Sequence, residues 1–317
     1  MFSKLGTRTL LLLVAGLLAV WGISKWWNSR DGGNTLRSTV VEVDTAALRS
    51  FSILPKQLKH AEIRFDRETD GWTVGDSAGV HGADQAAVRD LLAGFAHLRT
   101  LRLAGSMEKD AVRYALGDTA NTRMIFRVEG KAPLTFRVGW VDQTASQEGA
   151  TFVNVEGEQD IHVISGSLTR MLDRPMSVWR DQQLIGGDPA TWTRLTFTVP
   201  GGLGYSLQRE GAGWLLDGKP TNAERVQQFF EALSKGRNNR YADDTKVDGL
   251  TAQYRLVIQD NATEPAIIEM FDTGGKLLLH NSRKPREVFL LDRTTDLARF
   301  FRPAQYLLEV QPQALPQ

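Results

Sequence analysis

Histidines are the side chains most able to bind a metal or to move a proton near neutral pH. Five are present, at His60, His81, His97, His162 and His280. No two of them follow the H-x-H or H-E-x-x-H spacing that brings two imidazoles to one metal ion. We expect His97 at the edge of a helix face and His280 at a solvent-facing strand end. The chain has no cysteine, which excludes thiolate metal sites, a thiol nucleophile, disulfides and a lipid anchor on a modified cysteine.

Sequence motifs for nucleophilic or phosphate chemistry are also missing. There is no G-x-S-x-G elbow and no Walker A motif. The glycine-rich stretch 201–204 lacks the following Lys-Ser/Thr, so we interpret it as a hairpin loop. The acidic stretches Asp66–Asp70 and Asp243-Asp244 lack calcium-loop spacing and are predicted to be solvated turns. We therefore predict no catalytic, cofactor-binding or metal-binding residue and no enzymatic activity. A hydrolase that uses paired carboxylates stays an alternative, because acids are plentiful.

Four tryptophans have positions that invite a functional interpretation. Trp72 and Trp214 occupy matching places in two similar stretches. We predict that each ring fills the gap between a hairpin and a helix, and a shared ligand-stacking role is the alternative. Trp179 and Trp192 flank the boundary between the two stretches. We predict that this second pair packs the two stretches together.

Charge is unevenly distributed along the 317 residues. The chain carries 38 bases and 37 acids, and residues 1–30 hold four bases and no acid. The remainder therefore has 38 − 4 = 34 bases against 37 acids, a balance that does not suit a phosphate backbone, so we predict no nucleic acid binding. Two basic runs, Lys235–Arg240 and Arg283–Arg286, are interpreted as solvated loops. Contact with anionic lipid, polymer or an acidic partner is the alternative.

The N-terminus predicts a membrane anchor. Residues 10–24 contain no charge, and Lys25 and the two following tryptophans favour the membrane interface. A span over residues 9–27 is about 28 Å long, close to one hydrocarbon core. Trp21 spoils the small-x-small cleavage pattern, so we predict a retained signal anchor over residues 1–27, with a cleaved signal peptide as the alternative. A polar linker, residues 28–38, follows.

The predicted orientation places the N-terminus in the cytoplasm. The basic residues flanking the span are nearly balanced in number, so charge alone does not decide. The resemblance to a secretory signal followed by a long domain favours a periplasmic, extracytoplasmic body. We therefore predict a single-pass protein of the bacterial inner membrane.

The body repeats itself weakly. We predict an α+β fold in which the N-terminal transmembrane helix is followed by two repeated units of antiparallel strands with one amphipathic helix each. The first unit is residues 39–186 and the second is residues 187–308, with a flexible tail at residues 309–317. Each unit begins with a β-hairpin whose return strand carries a Gly-Trp pair, at Gly71-Trp72 and Gly213-Trp214.

A single-faced amphipathic helix follows each hairpin. Its apolar residues recur at helical spacing: Val88, Leu91, Leu92, Phe95 and Leu98 in the first unit, and Val226, Phe229, Phe230 and Leu233 in the second. Asp84 is predicted to cap the first helix. Thr221 and Glu224 match a capping box for the second.

Alternating strands follow each helix, with turns between them. In the first unit we predict one strand before the hairpin, at Thr39–Val43, and strands after the helix at Arg123–Val128, Leu134–Val138, Thr151–Val155 and Ile161–Ile164. In the second unit we predict them at Tyr254–Ile258, Ile267–Phe271, Leu277–His280 and Val288–Leu291. A short apolar helix closes each unit, near Leu168–Leu172 and Leu297–Phe301.

These features together resemble one known family, the domain of unknown function 4340 family (DUF 4340). The resemblance rests on the anchor, the Gly-Trp hairpin, the helix, the Arg113–Gly117 step, the alternating strands and the Trp179–Leu184 exit, and it covers roughly residues 39–308. Members often show Tyr-Gly-Leu where this chain has Tyr114-Ala115-Leu116. The family implies no established enzymatic activity and transfers no site residue. Its members resemble accessory components of ABC-type export systems, including those likened to gliding-motility transporters.

The resemblance implies a membrane-anchored extracytoplasmic scaffold or accessory subunit of an ABC-type transporter or envelope complex, acting by protein–protein contact. Its partners would be an ABC-type permease or other inner-membrane proteins. The alternative is an envelope glycan- or lipid-binding module that uses the cleft between the two repeats.

Overall fold

The protein folds into two antiparallel sheets with few helices. The structure, a computed structural model, describes residues 39–308 apart from residues 42, 97, 145–148 and 203. The predicted α+β class is confirmed in this coarse form, with strands predominating. The predicted span at residues 9–27, the tail at residues 309–317 and His97 lie outside the described residues. In the described part of the chain, no helix has the length and apolar character needed to cross a membrane.

The first sheet has ten strands and, with its helices, makes up lobe one. Its strands are β1 (Thr39–Val41), β2 (Leu48–Leu54), β3 (Ile63–Glu68), β4 (Gly71–Gly75), β5 (Val80–Gly82), β6 (Leu98–Ser106), β7 (Thr122–Val128), β8 (Leu134–Asp142), β9 (Ala150–Val155) and β10 (Asp160–Ser165). Its helices are α1 (Gln85–Ala96), α2 (Met107–Asp110) and α3 (Leu168–Leu172), with 3-10 turns at Lys56–Leu58 and Met176–Val178.

The second sheet has eight strands and makes up lobe two. Its strands are β11 (Arg194–Thr198), β12 (Tyr205–Glu210), β13 (Gly213–Leu216), β14 (Lys219–Pro220), β15 (Tyr254–Gln259), β16 (Ala266–Asp272), β17 (Leu277–Asn281) and β18 (Val288–Leu291). Its helices are α4 (Ala223–Ser234), α5 (Thr295–Phe300) and α6 (Ala304–Leu307), with 3-10 turns at Pro189–Thr191 and Pro200–Gly202.

The two sheets share one order of connection. Lobe one runs β5-β4-β3-β2-β7-β8-β9-β10 and then adds β6 and β1 at its far edge. Lobe two runs β14-β13-β12-β11-β15-β16-β17-β18. Eight strands and one long helix therefore correspond in sequence order and in space. The predicted unit boundary at residue 186 stays a prediction, while the two hydrophobic cores divide between Trp179, the last residue of one, and Leu184, the first of the other.

Each sheet has a buried apolar cluster on both of its faces. One face packs against the amphipathic helix, whose predicted apolar stripe is buried through residue 95 in α1 and residue 233 in α4. The opposite face packs against the connector that follows the helix, through Tyr114 and Leu116 in lobe one and Ala242 in lobe two. Strands buried on both faces carry apolar residues at successive positions, as β9 does along its whole length.

Two local predictions were wrong. The first helix ends at Ala96, and Leu98 begins strand β6, which the sequence analysis did not find. The capping box is absent, because Asn222 caps α4 by accepting the Arg225 N–H at 3.0 Å. Thr221 instead donates its hydroxyl to the Trp214 carbonyl oxygen at 2.8 Å. The Asp84 cap was predicted correctly, since its carboxylate accepts two backbone N–H groups in the first turn of α1.

The Arg113–Gly117 step has an unusual backbone. Ala115 lies at φ +54°, in the left-handed region that L residues adopt at a cost of about 1–2 kcal/mol. Glycine meets little penalty there. The matching position of lobe two is Gly249, at φ +83°. Ala115 is therefore a strained residue at a position where glycine would fit the backbone.

Candidate functional site

The segment Trp179–Leu184, which we call the exit segment, is clamped between the two lobes. On the side of lobe one, the Asp181 N–H donates to the Gly82 carbonyl oxygen at 2.8 Å. On the side of lobe two, the Leu184 N–H donates to the Gly236 carbonyl oxygen at 3.0 Å. The exit segment thus carries backbone hydrogen bonds to both lobes and fixes their relative position.

Arg180, in the exit segment, is a buried cation with three partners. Its side chain is 2% exposed and donates to Asp243 at 2.6 and 2.9 Å and to Glu287. The guanidinium also lies over the Tyr241 ring, 3.5 Å from the ring centroid. All three partners belong to lobe two. Guanidinium groups suit this role because their fork can bond two carboxylates and stack on an aromatic ring.

The charges around Arg180 balance its burial. Burial alone would lower the pKa of Arg180, but the hydrogen bonds and charges of Asp243 and Glu287 outweigh burial and raise that pKa. For the Tyr241 hydroxyl, burial instead raises the pKa, because burial disfavours the charged form of each group. A buried ion pair contributes little net stability, whereas removal of one of its two partners typically costs 3–5 kcal/mol. The cluster therefore favours one arrangement of the lobes over others more than it adds to total stability.

Glu287 is the second buried member of this cluster and also contacts lobe one. It is 2% exposed and accepts the Gly82 N–H at 3.1 Å. The His81 Nδ1 atom lies 3.4 Å from its carboxylate. A further pair, Arg237 of lobe two with Asp84 of lobe one, joins the lobes at 2.6 Å. The seam between the lobes is therefore polar and held by opposite charges.

A cavity of about 430 Å³ lies in this seam beside Trp72, and we call it the Trp72 groove. One wall comes from the β3–β4 turn, β5 and the start of α1. The other wall is residues 283–287 between β17 and β18, which we call the basic loop. Arg286 of this loop lies 3.4 Å from Glu68 of lobe one, and Lys284 bonds the Asp181 carboxylate.

A second cavity, about 700 Å³, lies beside Trp214 and is called the Trp214 groove. Its wall comes from the β12–β13 turn, β14 and the start of α4, which are the lobe-two counterparts of the elements around Trp72. The far wall contains Asp188 to Ala190 and the exposed side of α4. The structure describes no residues in this groove that correspond to the basic loop.

The structure scatters the histidines. His60 Nε2 lies 2.7 Å from the Asn121 carbonyl oxygen, and His162 Nδ1 lies 3.3 Å from the Thr100 hydroxyl. His81 is in the seam, and His280 is half-buried on β17. Within the described ranges, no three histidine or acidic side chains converge as metal ligands.

The tryptophans and the glycine-rich stretch were predicted with mixed success. Trp214 packs edge-on against Phe230 of α4, 4.7 Å between ring centroids, so it fills the gap between hairpin and helix as predicted. Trp179 and Trp192 belong to separate cores, so the prediction that they pack the lobes together was wrong. Residues 201–204 connect the paired strands β11 and β12, which confirms the hairpin loop.

The charged runs lie largely in exposed loops, as predicted, but several of their side chains also make ion pairs. Arg237 and Arg286, each about half exposed, and the less exposed Lys284 make contacts across or beside the seam. Asp243 and Asp244 are exposed in a turn, as predicted, and Asp243 also anchors Arg180. A run of charged residues in the sequence does not show whether a residue of opposite charge lies next to it in the folded protein. The signal that could have found Arg180 is its position between Trp179 and a polar run at the end of the first unit.

Comparison with known proteins gives one family match. Residues 72–253 match the model of the family described as "Domain of unknown function (DUF4340)". No curated protein and no solved structure gives a significant match. The matched stretch begins at Trp72 in β4, includes α1, the exit segment, the Trp214 hairpin and α4, and covers more than half of the chain. The chain therefore belongs to the DUF4340 family.

Proposed function

We propose that this protein is a single-pass, membrane-anchored extracytoplasmic scaffold, an accessory subunit of an ABC-type transporter or envelope complex that acts by protein–protein contact. The observation that carries the proposal is the clamped seam. Arg180, Glu287 and the exit segment hold two lobes of matching connectivity in one arrangement. A body of this kind presents its surfaces at fixed distances, which suits a scaffold better than a hinge that must open and close.

Other features support the membrane part of the proposal. Residues 9–27 have the length and flanking residues of an anchor, and the family resemblance points to ABC-type export systems. We place the N-terminus in the cytoplasm and the two lobes in the periplasm. Under this proposal the lobes stand close to the bilayer on a short linker, residues 28–38.

Affinity purification of the full-length chain from native membranes in mild detergent tests the proposal. We expect an ABC-type permease or another inner-membrane protein to copurify in fixed proportion. The control is an unrelated single-span protein with the same tag. An alkaline phosphatase fusion after residue 308 should be active if the lobes are periplasmic. A chain that always runs as a lone monomer, or an inactive fusion, would contradict the proposal.

A glycan- or lipid-binding function is a second candidate, favoured by the Trp72 groove. This groove places an aromatic ring beside charged side chains between the lobes, an arrangement that can hold a sugar or a headgroup. The basic loop already forms one wall and pairs with Glu68 there, so less room is left than beside Trp214. A small molecule that copurifies in place of a protein would favour this candidate.

A further inference from the structure

The two tryptophan grooves are built from corresponding residues. The Trp72 groove is lined by Glu68, Trp72 and Gly82. The Trp214 groove is lined at the same strand positions by Glu210, Trp214 and Pro220.

An arginine at the same strand position stacks on each of the two indole rings. Arg67 stacks on Trp72 at 5.9 Å and donates to the Ala46 carbonyl oxygen at 2.9 Å. Arg209 stacks on Trp214 at 5.3 Å and donates to the Ala190 carbonyl oxygen at 2.8 Å. The chain therefore contains one groove design twice.

In lobe one this groove holds a basic turn. Arg286 pairs with Glu68 at the rim, and Lys284 donates to the Gln183 carbonyl oxygen at 2.8 Å while it bonds Asp181. Pro285 lies between the two cations and lines the groove. The structure thus shows which kind of segment the design accepts, namely a turn with two basic side chains.

In lobe two the acidic rim lacks such a turn. Glu210 is the counterpart of Glu68, and within the described ranges no basic side chain lies within 4 Å of its carboxylate. Asp188 and Glu231 add two further carboxylates to the groove. Asp188 also accepts the Ala190 N–H at 2.9 Å and Glu231 pairs with Lys235 at 3.1 Å, so the attraction for a basic ligand depends on Glu210. The cation of the groove, Arg209, is engaged by the Trp214 ring and by backbone oxygens. The unoccupied volume therefore has an acidic rim and an aromatic floor.

We propose that the Trp214 groove binds a basic turn of a partner protein in the way that the Trp72 groove binds the basic loop within the chain. The proposal specifies the contact surface of the scaffold and rests on that proposed function. Because Pro220 has no N–H to match that of Gly82, the groove offers no donor for an acid like Glu287. The turn therefore needs Lys or Arg residues and no following carboxylate.

A second copy of this chain is a poor occupant. Its own basic loop is held by Asp181 and Glu68 in the seam. The corresponding turn of its first lobe, residues 156–159 between β9 and β10, reads Glu-Gly-Glu-Gln and would be repelled by Glu210. Charge complementarity therefore favours a different protein.

Site-specific photocrosslinking of the full-length chain in native membranes tests this. A crosslinking residue replaces Ala212, which is exposed in the Trp214 groove, or its counterpart Asp70 in the Trp72 groove. We expect Asp70 to capture the basic loop within the chain. We expect the crosslinking residue at position 212 to capture a segment of a partner protein, which mass spectrometry identifies as a turn that contains Lys or Arg.

The matched variants change one rim charge. Glu210→Arg should lower Ala212 capture about tenfold or more, because attraction becomes repulsion. Glu264→Arg, at an exposed acid on the β15–β16 turn outside both grooves, should leave capture unchanged. An equal loss in both variants would contradict the proposal.

The remaining outcomes separate this inference from the proposed function. Capture of residues 309–317, of a second copy, or of a neutral or acidic segment at Ala212 overturns the inference. If a crosslinker at Val112, which is 90% exposed on lobe one, captures inner-membrane proteins while Ala212 captures nothing, the groove inference fails and the scaffold role stands. If neither position captures a protein, both proposals fail.

Discussion

Replacement of Arg180 by methionine should destabilise the protein by about 3–5 kcal/mol, the typical cost of leaving one partner of a buried ion pair alone. The magnitude follows from Glu287, which is 2% exposed and would lose its buried guanidinium partner, leaving the Gly82 N–H and His81 beside it. Asp243 adds little to the cost, because its side chain is 47% exposed and can be solvated. For a body of this size the loss corresponds to roughly 6–20 °C in Tm.

A double-mutant cycle tests the physical reasoning. Urea unfolding of the full-length chain is compared for the parent, Arg180→Met, Glu287→Leu and the double variant. Each single variant should lose several kcal/mol, and the double variant should lose less than either, because no buried charge is left unpaired. Asp243→Asn, the control, should cost about 1 kcal/mol. A loss under about 1 kcal/mol for Arg180→Met, or losses that simply add, would refute the coupling.

Two further predictions concern the backbone and pH. Ala115→Gly should raise the free energy of unfolding by up to about 1 kcal/mol, because glycine relieves the left-handed strain. Gly249→Ala should lower the free energy of unfolding by a similar amount, and thermal unfolding measures both changes. A loss of stability in Ala115→Gly would contradict this reasoning. Burial would raise the pKa of Asp84, but hydrogen bonds from Arg237 and two backbone N–H groups hold that pKa below 3.8. The stability from this charge is thus present above pH 3.8 and lost as pH falls through the lowered pKa. Asp84→Asn keeps the cap, so it should cost about 1 kcal/mol or less at pH 7 in urea unfolding, and a cost that persisted at pH 2 would point to the cap instead.

Much of the fold could be predicted because its signals are local. Alternation along a strand and three-to-four spacing along a helix depend on neighbouring residues, so the meander strands, α1 and α4 were placed within a few residues. Strand β6 was missed because it follows α1 almost directly and carries exposed leucines, Leu101 and Leu103, in place of a clear buried face. The capping residue of α4 was off by one position, since Thr221 and Asn222 are both suitable caps.

The candidate site depended on the tertiary structure. Arg180 meets Asp243 and Glu287 across 63 and 107 residues of chain, and Arg286 meets Glu68 across 218. Whether a charge is solvated or buried depends on which surface arrives opposite, and no local pattern carries that information.

The kinds of element, the apolar faces and the presence of two similar units follow from the sequence alone, because each of these rests on the spacing of residues near one another. That the basic loop forms one wall of the Trp72 groove, while the described residues hold no such loop at the Trp214 groove, depends instead on the tertiary structure. That difference arises because lobe two packs against lobe one and thereby brings opposite charges together, an effect of docking two folded surfaces.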